Sequence, residues 1–364
     1  MNHIRAFRFV SPALIALVLS ASAAGSTVFN SLEITGSPVR FDYGSVVTQI
    51  RPVIQAGNPN GLPADSPALR VDPNTTTSRF AGVGSVRTHV PSGPVAGSYI
   101  GTGTPISPYH ILTAAHVLDI DDNGVADSAP GNVSFFLNYG SALSHQITAA
   151  SISIHPDFTG FNNPAVNDDL AIITLSSPLP AGVPIYPLIG IEADFYDLVL
   201  AGYGMSGDGV NGYSVNPSFS VKRTGMNLLE AIDYDDEAGF VDTSAIEVFY
   251  YDFEDSADVV NTDLFGVPFA YGNDLETLVG GGDSGGPAFW EDSFGNLLLA
   301  GVNTFGGAVA GAPVGKFGEF GGGIWLNSYL PWIESVVPEP STYAAGAFVL
   351  FAAGGAWMRS RRRA

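Results

Sequence analysis

From Phe80 onward, short apolar runs are repeatedly cut off by glycine-rich turns: "FAGVGSV", "GSYIGTG", "HILTAA", "NVSFFLNY", "HQITAASISI", "LAIITL", "LVLAGYG", "NLLLAGVNTFG" and "GGIWLN". No long amphipathic helix can be drawn through such a pattern, because each interior glycine costs a helix roughly 1 kcal/mol relative to alanine. Runs of about four to eight β-branched and aromatic residues between turn signals predict an all-β sandwich or barrel. One stretch reads differently: "NSYLPWIESV" sets Tyr329, Trp332 and Ile333 at helical spacing and predicts a closing helix. Before Phe80 the chain has no sustained period ("AGNPNGLPADSPALRVDPNTTTS") and reads as an irregular leader. Between Met205 and Asp274 it is dense in Asp, Glu and Tyr, which predicts solvated strands and loops or an acidic binding face.

The two ends read as addresses. Arg5 and Arg8 precede "FVSPALIALVLSASAA", which closes on small residues as a secretory signal peptide does, with cleavage expected after Ala23 or Ala24. The far end, "VVPEPSTYAAGAFVLFAAGGAWMRSRRRA", places Pro338-Glu339-Pro340 before an apolar stretch and an arginine cluster. At roughly 15–17 residues that stretch is at the short limit for a transmembrane helix. The three-part order resembles the PEP-CTERM sorting signal of Gram-negative bacteria. The resemblance implies export through the inner membrane, a transient tether there, processing by an exosortase-type enzyme, and release to the cell surface or medium. Four segments result: 1–24 signal peptide, 25–79 irregular leader or pro-segment, 80–335 a globular domain, and 336–364 sorting tail.

Charge and cysteine content exclude several partners. The formal net charge of the 364-residue chain is −21, and six of its 14 basic residues sit in the signal peptide and the terminal arginine cluster, leaving 8 against 35 acids over residues 26–340. Such a surface repels phosphates, so nucleic acid is not expected as a partner. There is no cysteine, hence no disulfide and no thiolate metal centre.

The chemistry-bearing stretch is "GGGDSGGPAF", Gly280 to Phe289, where five glycines and an aspartate surround Ser284. A serine hydroxyl becomes a nucleophile only when an imidazole takes its proton, and that imidazole needs a carboxylate on its other nitrogen. Two upstream residues supply these groups: His116 in "PISPYHILTAAHVLD" and Asp169 in "NDDLAIITL", with Asp168 as the near neighbour. Glycines beside the serine free its backbone N–H groups to meet an oxyanion.

"LTAAHV", "NDDLAII" and "GGDSGGP" together resemble the catalytic blocks of trypsin-like (chymotrypsin-family) serine proteases. "HPDF", "LAGYG", "GVNTFGG" and "NSYLPWI" extend the likeness in the family's order. The resemblance implies two antiparallel six-stranded β-barrels with a C-terminal helix, the site lying in the crevice between them. It implies Ser284 as nucleophile, His116 as general base then acid, and Asp169 as its orienting carboxylate. Gly282 and Ser284 would furnish the oxyanion-hole amides. Thr304, Phe305 and Gly306 would pair with an extended polypeptide substrate. Leu278 would floor the specificity pocket, favouring an apolar side chain over a basic one. No cofactor is implied for catalysis.

Departures from that pattern leave questions open. Val117 and Gly280 stand where the family has cysteines. Family members activate by exposing an apolar N-terminus to the aspartate beside the nucleophile, here Asp283. The one candidate cut, after Arg79, precedes what reads as the first strand. "DIDDNGVAD" sets Asp119, Asp121, Asn123 and Asp127 at calcium-loop positions around Gly124, but Pro130 replaces the usual final glutamate. A structural Ca²⁺ and a plain acidic turn both fit. Rival readings for the whole are a catalytically silent or partner-specific binding or matrix protein on the same fold, and an esterase.

Overall fold

The computed structural model describes residues 54–161, 165–190, 196–236, 245–309 and 315–337, together with the backbone of 32–35 and 39–41. The signal peptide and the apolar sorting tail fall outside the described residues. The fold is mostly β, as the glycine-punctuated runs require. Among the described residues no helix is long and apolar enough to cross a membrane.

The first half forms a closed barrel of six antiparallel strands: β1 (Gly84–Val90), β2 (Gly97–Pro105), β3 (His110–Thr113), β4 (Val133–Leu137), β5 (His145–Ile154) and β6 (Ala171–Leu175). Hydrogen-bond ladders run β2–β1–β4–β5–β6–β3 and then back from β3 to β2, leaving no free edge within the ring. Its interior is apolar, filled by Val86, Ile111, Val117, Val133, Phe135, Leu137 and Ile173. A ring of this size is just filled by its own side chains.

The second half forms a larger antiparallel sheet from β7 (Asp197–Gly202), β8 (Lys222–Leu228), β9 (Ala231–Tyr234), β10 (Ile246–Asp252), β11 (Pro287–Glu291), β12 (Leu297–Val309) and β13 (Phe320–Trp325). Its order is β9–β10–β13–β12–β11–β7–β8, with the short strand Val71–Asp72 added on β8. The two ends of this path are consecutive in the chain, since only Leu229 and Glu230 separate β8 from β9. One bent segment therefore pairs first with β7 and then with β10. The closing helix α1 (Leu330–Val336) matches expectation, with Pro331 in the first turn where its missing N–H is harmless. Ile333 points into the core.

Two regions differ from the sequence reading. The stretch before Phe80 is largely irregular, yet from Ile54 it is built into the second sheet. Ile54 is a core residue, and a buried Arg70–Asp65 ion pair at 2.6 Å anchors the loop, Arg70 also donating to the Leu275, Asn273 and Glu276 carbonyls. The acidic region expected to be solvated instead buries Glu230, Asp233, Glu247, Asp252 and Glu254, and Glu276 just beyond it is buried as well. The cause is long-range pairing: β10 lies between β9 and β13 and is covered on both faces, so its carboxylates have no solvent side.

Candidate active site

His116 sits in a single 3-10 turn, Ala115–Val117, directly after β3, and its side chain is fully buried. Asp169 immediately precedes Leu170 and β6, the strand that pairs with β3, so the ladder itself brings the two residues together. The His116 backbone N–H donates to Asp169 Oδ1 at 2.9 Å, and its ring Nδ1 lies 2.5 Å from Asp169 Oδ2. Both carboxylate oxygens thus grip one residue. The ring packs edge-on against Phe161. Its other nitrogen, Nε2, is buried with no hydrogen-bond partner among the described residues.

Asp168 is kept apart from this pair. It holds a left-handed backbone at φ 61°, an unfavourable region for a side chain with a Cβ. Its Oδ1 accepts from the Tyr329 hydroxyl at 3.1 Å and faces His155 Nδ1 at 3.3 Å. The adjacent aspartates therefore turn to opposite tasks, and Asp169 is the one on His116.

Ser284 approaches from the second sheet. Its loop is docked onto the strand pair that leads to the histidine. Ser284 O accepts from Thr102 N at 2.8 Å, and the Thr102 hydroxyl donates to Gly282 O at 2.8 Å. Gly285 is pressed so closely that an added Cβ would lie 2.0 Å from Thr113 Oγ1 and 2.9 Å from Ala114 N, two residues before His116. Gly282 and Gly285 adopt φ of +98° and +83°, open to glycine alone at little cost. Neither the Gly282 nor the Ser284 amide donates a hydrogen bond among the described residues. Ser284 itself is only 5% exposed.

Asp283 turns away from the serine into the protein. Its carboxylate accepts the amides of Ile54 at 2.5 Å and Gly204 at 2.8 Å, with Gly280 more distant at 3.3 Å. Burial pushes its pKa up to about 7 against the pull of these amides and of Arg223. Gly202 is glycine for the same contact, since a Cβ there would lie 1.9 Å from Asp283 Oδ1. The partner left open in the sequence is therefore Ile54, not a residue near Arg79. Gln55 N and Leu278 O continue the contact at 3.1 Å.

The substrate-strand residues have mixed environments. Phe305 is spent on packing against Tyr250 and Phe320, and Thr304 is buried with a hydroxyl that has no partner among the described residues. Gly306 lies opposite Gly321 on one side and Thr35 on the other. The chain's own Leu32–Thr35 thus forms a strand along β12, while Val39–Phe41 pairs with β2 at Ile100, Tyr99 and Ser98. Leu278 is 1% exposed, in a core cluster with Ile54 and Tyr251.

In the loop after His116, Asp119, Asp121 and Asp127 each bring a carboxylate oxygen within 4.8 Å of the others. Asp119 accepts the Asn123 and Gly124 amides, Asp127 those of Ile120 and Asp121, and Asn123 Oδ1 that of Val125. Burial pushes the Asp119 pKa up to about 6. Asp122, overlooked in the sequence, lies close enough to feel the charges of His116 and Asp169, and its pKa is raised, mainly by burial.

The His116–Asp169 pair and the Ser284 loop thus meet between the two sheets: an oriented imidazole whose Nε2 has no partner among the described residues, its carboxylate, and a serine-bearing loop whose Gly282 and Ser284 amides donate to nothing among them. No protein-family model matches the chain.

Proposed function

We propose that this protein is an exported serine endopeptidase of trypsin-like type, its second sheet serving as the second barrel of that fold. The observation that carries the reading is the buried His116–Asp169 pair: Asp169 holds the Nδ1 side, and Nε2 is left unpartnered beside a docked serine loop. In this mechanism Ser284 Oγ attacks the substrate carbonyl while His116 Nε2 takes the hydroxyl proton. Asp169 holds the tautomer and stabilises the imidazolium. The Gly282 and Ser284 amides receive the oxyanion, each such donor being worth about 10²–10³ in kcat. His116 then gives its proton to the leaving amine, and water repeats the cycle on the acyl-enzyme. No metal enters these steps.

The β12 edge supports a polypeptide substrate, because it already pairs with an extended segment, Leu32–Thr35. Main-chain pairing of this kind reads shape rather than sequence. In this reading the leader is a resident occupant that must leave before substrate enters. The Asp283 contact marks Ile54 as the residue whose amine would face that carboxylate after a cut before it. An apolar rather than basic P1 residue belongs to this reading from the sequence position of Leu278 alone, since its side chain is packed in the core with Ile54 and Tyr251. A calcium ion in the Asp119–Asp127 loop, the exosortase-processed tail and cell-surface or secreted destination belong to the same proposal. The leader's hold on the β12 edge favours narrow, partner-specific processing as the second reading.

Hydrolysis of casein and of a small p-nitrophenyl ester by the purified protein tests this. The proposal expects both activities and their joint loss in Ser284→Ala. Ester cleavage alone would establish the narrow reading, and neither activity, before and after removal of the leader, would overturn the enzyme.

A further inference from the structure

Glu230 occupies the two-residue joint between β8 and β9, Asp252 ends β10, and Glu254 follows two residues later. The three are distant in sequence, yet each brings one carboxylate oxygen within 4.8 Å of the other two. All are buried, at 6%, 0% and 1% exposure. Glu230 Oε2 accepts the Asp252 amide and Asp252 Oδ2 the Leu264 amide. The remaining oxygens, Glu230 Oε1, Asp252 Oδ1 and both of Glu254, have no hydrogen-bond partner among the described residues. The neighbouring Phe269 amide is committed to Val267 O.

No countercharge answers them. No lysine, arginine or histidine among the described residues forms an ion pair with any of the three, and Arg70, the cation felt by neighbouring Glu276, is held by Asp65. Glu276 adds a fourth buried carboxylate whose Oε1 has no partner among the described residues. Buried acids without donors or cations are strongly disfavoured. Burial and like charge accordingly push Glu254 up to about 9 and raise both Glu230 and Asp252. One shared proton between Glu230 and Asp252 would still leave Glu254 with two empty acceptors. A hard cation held between the three carboxylates, one oxygen from each lying within 4.8 Å of the other two, supplies the missing positive charge.

We propose that Glu230, Asp252 and Glu254 form a buried structural Ca²⁺ site. The donors are all oxygen, as Ca²⁺ requires, and the spacing suits bonds of about 2.3–2.6 Å, with carbonyls or water completing six to eight ligands. The ion joins the two ends of the second sheet's path and pins the exposed loop that follows β10. It also reaches the serine loop indirectly: the Asn227 amide group donates to Asp252 O at 2.5 Å and Thr277 O at 2.7 Å, just before Leu278. The site does not depend on the catalytic reading.

The test is calorimetric titration of the EDTA-stripped, dialysed protein with CaCl₂ at pH 7.5, alongside thermal melts. Wild type and Asp121→Asn should both bind with micromolar or tighter affinity and gain thermal stability. Glu254→Gln keeps shape and removes the charge, and should lose at least 100-fold in affinity at this site. Glu230→Gln should do the same. Equal calcium binding in wild type and both Gln variants would overturn the proposal. So would a wild type that ignores calcium and is stabilised only by acidification, which would assign the cluster to shared protons. Should Glu254→Gln fail to fold, the Glu230→Gln titration carries the same decision.

Discussion

The two sheets solve closure differently. The first barrel is ringed by backbone ladders, with β3 pairing back onto β2, and its interior is hydrocarbon. Among the described residues the second has no ladder between the ends of its path; its end strands β8 and β9 are one bent segment whose joint carries Glu230. There, buried carboxylates gather at the joint and under the neighbouring loops. A ladder closes a sheet at any pH, whereas a carboxylate-lined joint depends on what neutralises it. The candidate site draws His116 and Asp169 from the ladder-closed barrel and Ser284 from the other sheet, so the serine loop carries the contrast into the site.

The largest expected effects separate the site from its scaffolding. Ser284→Ala should lower kcat by about 10⁶, and Asp169→Asn by about 10⁴ through the wrong His116 tautomer. Asp168→Asn, whose carboxylate faces Tyr329 and His155 instead, should stay within about tenfold of wild type. Comparable losses in the two Asn variants, measured as kcat on one ester, would show that the adjacent aspartates are not divided as described. Next comes the docking between sheets. Gly285→Ala forces a Cβ to within 2.0 Å of Thr113 Oγ1 at φ +83°, and should destabilise by roughly 1–3 kcal/mol in urea unfolding.

The pH response distinguishes the halves more gently. Burial raises Asp283, Glu247 and Glu319 to about 7 each in the folded protein. Between about pH 4 and 7 the native state therefore holds protons that the unfolded state has released, so stability falls as pH rises through that window. Melting of cation-stripped protein at pH 5 and pH 8 should show the higher Tm at pH 5. Calcium should shrink the difference by neutralising the carboxylate joint. The smallest effect concerns the leader. Proline at both Glu33 and Ile34 removes a ladder donor whichever residue faces β12, and should raise the rate of Ser284 modification a few-fold.

Much of the first barrel, and the pairing of His116 with Asp169, was legible because local signals carry them. Strand runs ended at glycines, and His116, Asp169 and Ser284 each sit in a distinctive short block. What escaped was set by long-range pairing. Ile54 lies in a Pro- and Asn-rich stretch without period, and nothing local says that its amide meets Asp283. The acids of β10 and its neighbours look solvated in sequence, since Asp and Glu are mostly exposed. Their burial follows from which strands cover β10. Leu278 and Phe305 were assigned to substrate from their positions, while their side chains are packed in the core.

The most direct measurement is intact-mass analysis of the full chain after treatment with a fluorophosphonate, with Ser284→Ala in parallel. The account expects one adduct per chain, mapped to Ser284 by peptide sequencing and absent from the variant. The leader-proline chain should reach it faster. A folded protein that takes up no label at Ser284, with the leader paired or displaced, would contradict the claim that these three residues form a working nucleophilic site.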